Sequence, residues 1–382
     1  MKDVAIVGIG MVGFRSLTPE VSYKELMYEA AVKAYEDAGL DPRRDVDSFV
    51  TVAEDFIEGT SIFDEYVPDQ LGGLLKPNVT IPGEGIHGLA TAYMQIASGI
   101  VDVVAVEAHS KASNVLTLPY ITAYAMDPVF NRPLGANPVF IAGMEMTRYL
   151  HLSGATREQC ARVVAKNKRN ALYNPTAAYG AAIEPQDALD AEMVAYPLTQ
   201  QDISPHADGA IVLVLAAAEV AQSLTEVPIW VQGIGWCNDS PTLETRGWAR
   251  AIYAEGAGRM AYQMAGIRNP REEIDFAEID DTYSYKELQH LEALGFCRWG
   301  EAGLITAEGV TDVGGDLPVN VSGGSLGVGH LLDASGLRAV AEVALQLRGE
   351  AGARQLLDVE TGLAFGWRGV PSTSGAAAIL SN

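Results

Sequence analysis

Apolar residues along this chain fall into two alternating patterns, short β-branched runs and longer stretches with helical spacing. Strand-like runs cover residues 4–7, 48–52, 79–81, 101–106 and 227–236. Apolar residues recur at intervals of three and four in residues 21–38 and 86–97. This alternation of strand and helix predicts an α/β fold with a mainly parallel sheet.

Residues 111–197 interrupt this rhythm. They contain helical stretches at residues 138–150 and 156–172, together with prolines and polar turns. Such a segment does not continue the alternation of strand and helix, so we expect it to form an excursion from the sheet. We call residues 111–197 the loop domain.

The chain also contains two internal echoes. The stretch VAIVGIG at residues 4–10 is matched by IWVQGIG at residues 229–235. The strand, glycine turn and helix of residues 79–106 are echoed by VNVSGGSLGVGHLLDASG and the helical pattern that follows it. These echoes predict two similar halves, residues 1–225 and 226–382, with the loop domain inserted in the first.

Composition narrows the class of protein. With 48% hydrophobic and 20% charged residues, the 382-residue chain is typical of globular proteins. No run of 18 apolar residues predicts a membrane span, and no signal peptide is expected at the N-terminus. Cys160, Cys237 and Cys297 are far apart, which favours the reducing cytoplasm over a disulfide framework. The net charge of −23 argues against a nucleic-acid partner.

The sequence GIGMVG, with Gly8, Gly10 and Gly13, matches the G-x-G-x-x-G pattern of dinucleotide sites. That pattern requires a helix opening at its last glycine. Here a loop follows and the helical spacing starts only near Val21. A glycine turn at a crowded sheet edge is therefore the favoured interpretation.

A second glycine turn, Pro82-Gly83-Glu84-Gly85, stands between a strand and a helix. Helix N-termini stabilise negative charge, and enzymes place nucleophiles there. This turn contains no Ser, Cys or Thr. Either Glu84 has a chemical role or its carboxylate caps the helix.

Two further positions are candidates for chemistry. Asp280 and Asp281 form either a metal or acid–base pair, or the capped start of a helix over residues 283–294. His330 lies between a glycine turn and a helix start, where an imidazole can face a cleft. A structural role is the alternative for His330. The six histidines show no H-x-x-x-H spacing, so no zinc site is expected.

Long motifs make the chain similar to a known family. They are NKRNALYNP at residues 167–175, PLTQQDISPHADGAIVLVLA at 197–216, DTYSYKELQHLEALGFCRWGEAG at 281–303 and VNVSGGSLGVGHLLDASG at 319–336. With them the chain resembles the thiolase superfamily, specifically the SCP2-type thiolases (sterol carrier protein X and its bacterial and archaeal relatives). The resemblance implies two βαβαβαββ halves in a five-layer αβαβα arrangement, a dimer or larger oligomer, and an acyl-CoA thioester as substrate or ligand.

The chain departs from the thiolase pattern where the chemistry is concentrated. Thiolases carry a nucleophilic cysteine in the first glycine turn, and counting back from IASG places Pro82 at that position. The second cysteine, a proton carrier, is missing from the closing stretch FGWRGVPSTSGAAAIL. The third motif, usually N-E-A-F or H-D-C-F, is Asp280-Asp281-Thr282-Tyr283 here. Of the four signatures, only the G-H turn keeps its catalytic residue, His330.

These departures predict carbon–carbon bond chemistry on acyl-CoA without a covalent cysteine intermediate, of the acyltransferase or aldolase type. The resemblance implies that His330 and backbone N–H groups of the glycine turns hold the thioester oxygen as an enolate forms. The turn glycines concerned are Gly83, Gly85, Gly323, Gly324 and Gly329. The candidates for the base that takes a hydroxyl proton are Tyr283, Asp280, Asp281 and Glu84.

Partners follow from the same resemblance. Some SCP2-like relatives act as aldolases on steroid side-chain thioesters together with a small OB-fold partner, so a zinc-ribbon and OB-fold partner is expected here too. The alternative is a catalytically inactive subunit that binds acyl-CoA or lipid. For the CoA phosphates, the candidates are Arg162, Lys166, Lys168 and Arg169 in a basic cluster of the loop domain. Basic residues spread over solvated helix faces are the other interpretation of this cluster.

Overall fold

A computed structural model describes residues 2–54, 67–115, 118–240, 242–369 and 373–382. Residues 370–372 belong to the closing stretch where the second thiolase cysteine is missing, and they lie outside the described residues. The strands of the main sheet are β1 Val4–Arg15, β2 Ser48–Val52, β3 Asn78–Ile81, β4 Val103–Lys111, β7 Asp208–Ala217, β8 Ile229–Asn238, β9 Phe276–Ile279, β10 Thr361–Arg368 and β11 Ser374–Ser381. A separate short pair consists of β5 Met193–Ala195 and β6 Leu198–Thr199.

The main sheet has nine strands in the order β3-β2-β4-β7-β1-β8-β11-β10-β9. Strands from before residue 225 occupy one side and strands from after it occupy the other. The two sides meet where Ala5 and Ile6 of β1 pair with Trp230 and Ile229 of β8. The sheet is mixed rather than mainly parallel, because β1, β7, β8 and β11 pair antiparallel with their neighbours.

The longer helices are α1 Tyr23–Ala38, α4 Gly85–Ala97, α6 Pro138–Ser153, α7 Arg157–Ala171, α10 Ile252–Ala265, α12 Ser284–Ala293 and α15 Ser335–Arg348. The shorter ones are α2 Pro42–Asp45, α3 Pro68–Leu71, α5 Leu118–Tyr124, α8 Pro185–Leu189, α9 Ala218–Leu224, α11 Pro270–Glu273, α13 Ala302–Ala307 and α14 Gly324–Val328. Local signals set their ends. In α1, Ser22 and Glu25 form a capping box, and Gly39 ends the helix in the left-handed conformation.

The hydrophobic core is divided into layers. Buried residues of α4 and α15 form one cluster with residues from both sides of the sheet. A second cluster joins α1 to the first half's strands, and a third joins α10 and α12 to the second half's strands. The order is outer helices, the first half's strands, the paired helices α4 and α15, the second half's strands and outer helices, which confirms the predicted five-layer α/β arrangement.

The two G-I-G stretches lie inside strands, so the predicted glycine turn near residue 8 is wrong. β1 continues to Arg15 because it pairs with β7 over its whole length. A Cβ on Gly10 would lie 1.9 Å from the backbone oxygen of Ala30 in α1. A Cβ on Gly235 would lie 2.2 Å from the backbone oxygen of Ala257 in α10. In both halves these glycines allow an outer helix to pack closely on its strand.

The loop domain contributes α5 to α8 between β4 and β7. Its long helix α7 packs against α12, α13 and α14 of the second half. The predicted division at residue 225 falls between α9 and β8. No helix in the described ranges is long and apolar enough to span a membrane.

Candidate active site

A cleft of about 260 Å³ lies beside the N-terminus of α4, between the loop domain and the second half. Its walls include Gly83, Glu84, Leu118, Ile121, Val139, Ser204, His206, Thr282, Tyr283, His330, Asp333 and Trp367. Of the candidates from the sequence, Glu84, Tyr283, His330 and Gly83 therefore meet at one site. Most of the apolar wall comes from α5 and the start of α6.

Glu84 lines the cleft and caps α4 at the same time, so both interpretations of this residue hold. Its Oε2 accepts a hydrogen bond of 3.0 Å from the Ile86 N–H, and the residue is only 2% exposed. Burial raises the pKa of the Glu84 carboxyl to about 8, against the helix N–H groups that lower it. A Cβ on Gly336 or Gly366 would overlap this carboxyl, so both glycines make room for it. Glu84 is accordingly a neutral acid at pH 7.

Pro82, at the counted position of the thiolase nucleophile, does not face the cleft with Glu84. Its side chain is exposed and is not among the lining residues, whereas Gly83 is. The turn therefore presents a carboxyl group to the cleft and no nucleophile.

His330 is held by its backbone and has a defined tautomer. Its N–H donates to the Pro205 carbonyl at 2.7 Å, and its carbonyl accepts from the Ala207 N–H at 3.0 Å. The ring Nδ1 accepts a hydrogen bond of 3.3 Å from the Leu332 N–H, which leaves the proton on Nε2. Burial and the nearby charges of His206 and Arg338 lower the pKa of His330 to about 3. The ring is a neutral donor at physiological pH.

The third motif separates into residues inside and outside the cleft. Tyr283 lines the cleft, and burial raises the pKa of its hydroxyl, so it acts as a donor and not as a base. Asp280 is not a lining residue. Its carboxylate accepts from the N–H and hydroxyl of Thr282 at 3.1 and 3.0 Å, and burial raises its pKa to about 6.

Asp281 follows the helix-capping interpretation, but for a helix elsewhere in the chain. Its carboxylate accepts from the N–H groups of Ser325 and Leu326 at the start of α14 and from Asn167 Nδ2. Burial raises the pKa of Asp281 to about 7. Asp281 thus lies away from the cleft lining. Among the described residues there is also no cluster of three or more His, Cys, Asp or Glu side chains suited to a metal ion.

Four of the five turn glycines serve packing and not the cleft. A Cβ on Gly85 would meet Leu337 of α15, and one on Gly323 would meet Ala171 of α7. Gly324 and Gly329 are crowded in the same way by the Asp281 carboxylate and by Ala207. The prediction that these glycines surround the thioester oxygen is not matched by the cleft, where only Gly83 is found.

The predicted basic cluster does not form one exposed face. Lys166 is buried and its Nζ lies 2.8 Å from both Glu287 Oε1 and the Val319 carbonyl. Lys168 is buried too, and burial lowers its pKa. Arg162 and Arg169 remain exposed. Burial thus removes the two lysines from any shared phosphate-binding surface on α7.

Ser204 and His206 are polar cleft residues that the sequence analysis missed. Ser204 and His206 precede β7 and both line the cleft. The ring centroids of His206 and His330 are 5.3 Å apart, with the planes at 74°. Both residues belong to the motif stretch SPHADGA, but only the β-bridge between His206 and His330 brings this stretch to the cleft.

Comparisons with known proteins agree with this geometry. Residues 239–382 match the family described as Thiolase C-terminal domain-like. Over 99% of both chains, the protein is 32% identical to an acetyl-CoA acetyltransferase of Methanothermobacter thermautotrophicus. It is 33% identical to a steroid side-chain-cleaving aldolase of Thermomonospora curvata, covering 97% of this chain and 96% of that one.

Structural comparison gives the same answer. The solved Ltp2-ChsH2(DUF35) aldolase superposes with a TM-score of 0.85 at 29% identity, covering 99% of this chain and 97% of that chain. The resemblance drawn from the sequence motifs is confirmed. The chain belongs to the thiolase superfamily, within its SCP2-type, thiolase-like group.

Proposed function

We propose that this protein cleaves the bond between the α- and β-carbons of a β-hydroxyacyl-CoA thioester in a retro-aldol reaction, without an acyl-enzyme. One observation carries the proposal. Glu84 and His330, both neutral at physiological pH, line a single cleft whose glycine turn has Pro82 at the nucleophile position.

Relatives that match nearly the whole chain support carbon–carbon chemistry on acyl-CoA thioesters. One is named as an acetyltransferase of acetyl-CoA and another as a side-chain-cleaving aldolase. The alternative, an inactive subunit that binds acyl-CoA or lipid, is not favoured by these relatives. The cleft also supports chemistry, because buried groups with raised pKa values that line a cleft cluster at functional sites.

The neutral imidazole of His330 supplies the oxyanion site. When the carbon–carbon bond breaks, its electron pair forms an enolate whose charge lies on the thioester oxygen. The Nε2–H of His330 donates to that oxygen, and one such donor is worth roughly 3–4 kcal/mol in the transition state. Because the ring is already neutral, the hydrogen bond forms without a change in its protonation.

Glu84 supplies the proton that completes the reaction. The enolate must be protonated at its α-carbon, and the carboxyl of Glu84 is protonated at pH 7. In the reverse, condensing direction the Glu84 carboxylate removes this α-proton. Glu84 thereby takes the place of the missing second cysteine of thiolases.

Partners and binding mode are part of the proposal. The solved neighbour is an aldolase described with a DUF35 protein, which supports a small OB-fold and zinc-ribbon partner here. We further propose a homodimer or larger oligomer in the cytoplasm. The exposed Arg162 and Arg169 remain the candidates for the CoA phosphates, since both lysines of the cluster are buried.

The test is mass spectrometry of β-hydroxyacyl- and β-ketoacyl-CoA esters incubated with the protein, alone and with a co-expressed partner. Cleavage of a β-hydroxyacyl-CoA into a carbonyl compound and a shorter thioester is expected. Glu84→Gln should lower kcat by about 10²–10⁴-fold and His330→Ala by about 10²–10³-fold. Glu158→Gln and His151→Gln, two exposed positions, are the matched controls. Thioesters that all return intact from wild-type protein and partner would refute the proposal.

A further inference from the structure

We infer that His206 is the base that removes the proton from the β-hydroxyl group. The inference rests on the proposed function and completes it, because that reaction needs a second proton transfer that Glu84 and His330 do not perform. The sequence offered Tyr283, Asp280, Asp281 and Glu84 for this task. The structure removes the two aspartates from the cleft and leaves Tyr283 as a donor.

The backbone fixes His206 beside His330. The two residues form an isolated parallel β-bridge, closed by the hydrogen bonds from His330 N–H to Pro205 and from Ala207 N–H to His330. The carbonyl of His206 accepts a further hydrogen bond of 2.6 Å from the Tyr179 hydroxyl. The position of the imidazole relative to His330 is therefore set by three hydrogen bonds on its own segment.

The His206 side chain is available for a ligand. It is exposed and lines the cleft, in contrast to the half-buried His330. Desolvation of the ring lowers the pKa of His206, which keeps the imidazole neutral, and a hydrogen bond to the backbone of His330 opposes this shift. That contact favours an N–H on one side of the ring and leaves a lone pair on the other nitrogen. A neutral imidazole with a free lone pair is the usual form of a general base.

The spacing of the two rings fits the substrate. In a β-hydroxyacyl thioester, the carbonyl oxygen and the hydroxyl oxygen are separated by three carbons and come together when the chain folds. Ring centroids 5.3 Å apart allow one imidazole to contact each oxygen. His330 donates to the carbonyl oxygen, and His206 accepts from the hydroxyl group.

The proton balance closes with these groups alone. His206 takes the hydroxyl proton and becomes imidazolium, the oxygen's electrons form the new carbonyl, and the carbon–carbon bond breaks toward the thioester. The Glu84 carboxyl then gives its proton to the α-carbon and becomes a carboxylate. Passage of one proton from His206 to Glu84 through solvent restores both groups.

The test separates two activities of the same cleft. One is cleavage of the β-hydroxyacyl-CoA, and the other is exchange of the α-protons of acetyl- or propionyl-CoA with D₂O, followed by NMR. Exchange requires Glu84 and His330 but no hydroxyl base. We expect His206→Gln to lower cleavage about 100-fold or more and to leave exchange within about threefold of wild type. Glu84→Gln should lose both, and His151→Gln neither.

The His206→Ala variant, which has a smaller side chain, gives a second readout. A purely structural role of His206 would not produce it. Added imidazole should restore cleavage by His206→Ala at least about tenfold, because it replaces the missing base. Cleavage by His206→Gln equal to wild type would overturn the inference and leave the proposed function intact. Loss of both activities in His206→Gln would overturn it too. Failure of wild type to cleave any ester would overturn the proposed function and this role with it.

Discussion

The turn before α4 and the turn before α15 occupy equivalent places in the two halves, yet they carry opposite chemistry. The first presents an acid, Glu84, that burial keeps protonated. The second presents an imidazole, His330, that burial keeps unprotonated. Desolvation disfavours the charged form of each group, so one physical effect produces a proton donor in one half and a neutral hydrogen-bond donor in the other.

The first strands of the two halves, β1 and β8, have not diverged in this way. Gly8 and Gly10 of β1 correspond to Gly233 and Gly235 of β8, and each pair lies against the backbone of an outer helix. Packing between backbones admits no side chain and thus constrains both halves alike. The cleft lies on only one face of the paired halves, and there each turn has a different task.

The largest expected effect is on the pH dependence of the free energy of unfolding, through the titration of Glu84. A carboxyl whose pKa rises from 4.5 to about 8 on folding binds its proton more tightly in the folded protein. Its contribution to stability is therefore complete below pH 4.5 and is lost as the pH rises toward 8, by up to about 1.4 kcal/mol per pH unit. The Glu84→Gln variant has no titrating group at this position. From pH 4.5 to pH 8, its free energy of unfolding should therefore increase relative to that of wild type.

Denaturant unfolding of both proteins at intervals from pH 5 to 8.5 measures this difference, and Glu158→Gln serves as the control. Other titrating groups are common to both proteins and cancel. A constant difference between wild type and Glu84→Gln over the whole range would show that Glu84 is ionised in the folded state, and the contrast between the two turns would fail.

The glycine strands should respond equally in the two halves. Gly10→Ala and Gly235→Ala each place a methyl group within 2.2 Å of a helix carbonyl, and overpacking of this kind costs about 1–3 kcal/mol. Gly247→Ala is the matched control, because no atom lies within 4 Å of its added Cβ. Denaturant midpoints measure the cost. A large effect in one half alone would mean that packing, like chemistry, has diverged.

Much of the layered fold could be predicted from the sequence, because the spacing of apolar residues and the local capping and turn residues determine it. β2 was predicted at its observed bounds, and α4 differs from its prediction by one residue. The length of β1 was not predicted, since its partner β7 runs from Asp208 to Ala217, far along the chain. At the site, Glu84 and His330 were identified from turns that are local in sequence.

The remaining site residues depended on tertiary contacts that spacing does not reveal. Asp281 precedes α12 in sequence but caps α14 in space. Lys166 and Arg162 lie on the same helix, α7. Lys166 is buried in an ion pair with Glu287 of α12, whereas Arg162 is exposed. His206 was missed for a related reason, because only the β-bridge to residue 330 brings it into the cleft.

Restoring a thiol to the first turn should have the smallest effect. Pro82→Cys places the thiol at the counted nucleophile position, but this side chain is exposed and outside the cleft lining, whereas Glu84 occupies the cleft. The second proton-carrying cysteine would still be absent. We expect no thiolysis of acetoacetyl-CoA and no added acetyl group on the intact protein after incubation with acetyl-CoA, both followed by mass spectrometry. Acetylation at residue 82 together with turnover would show that the first turn retains the thiolase geometry, and that Pro82 alone prevents nucleophilic chemistry there.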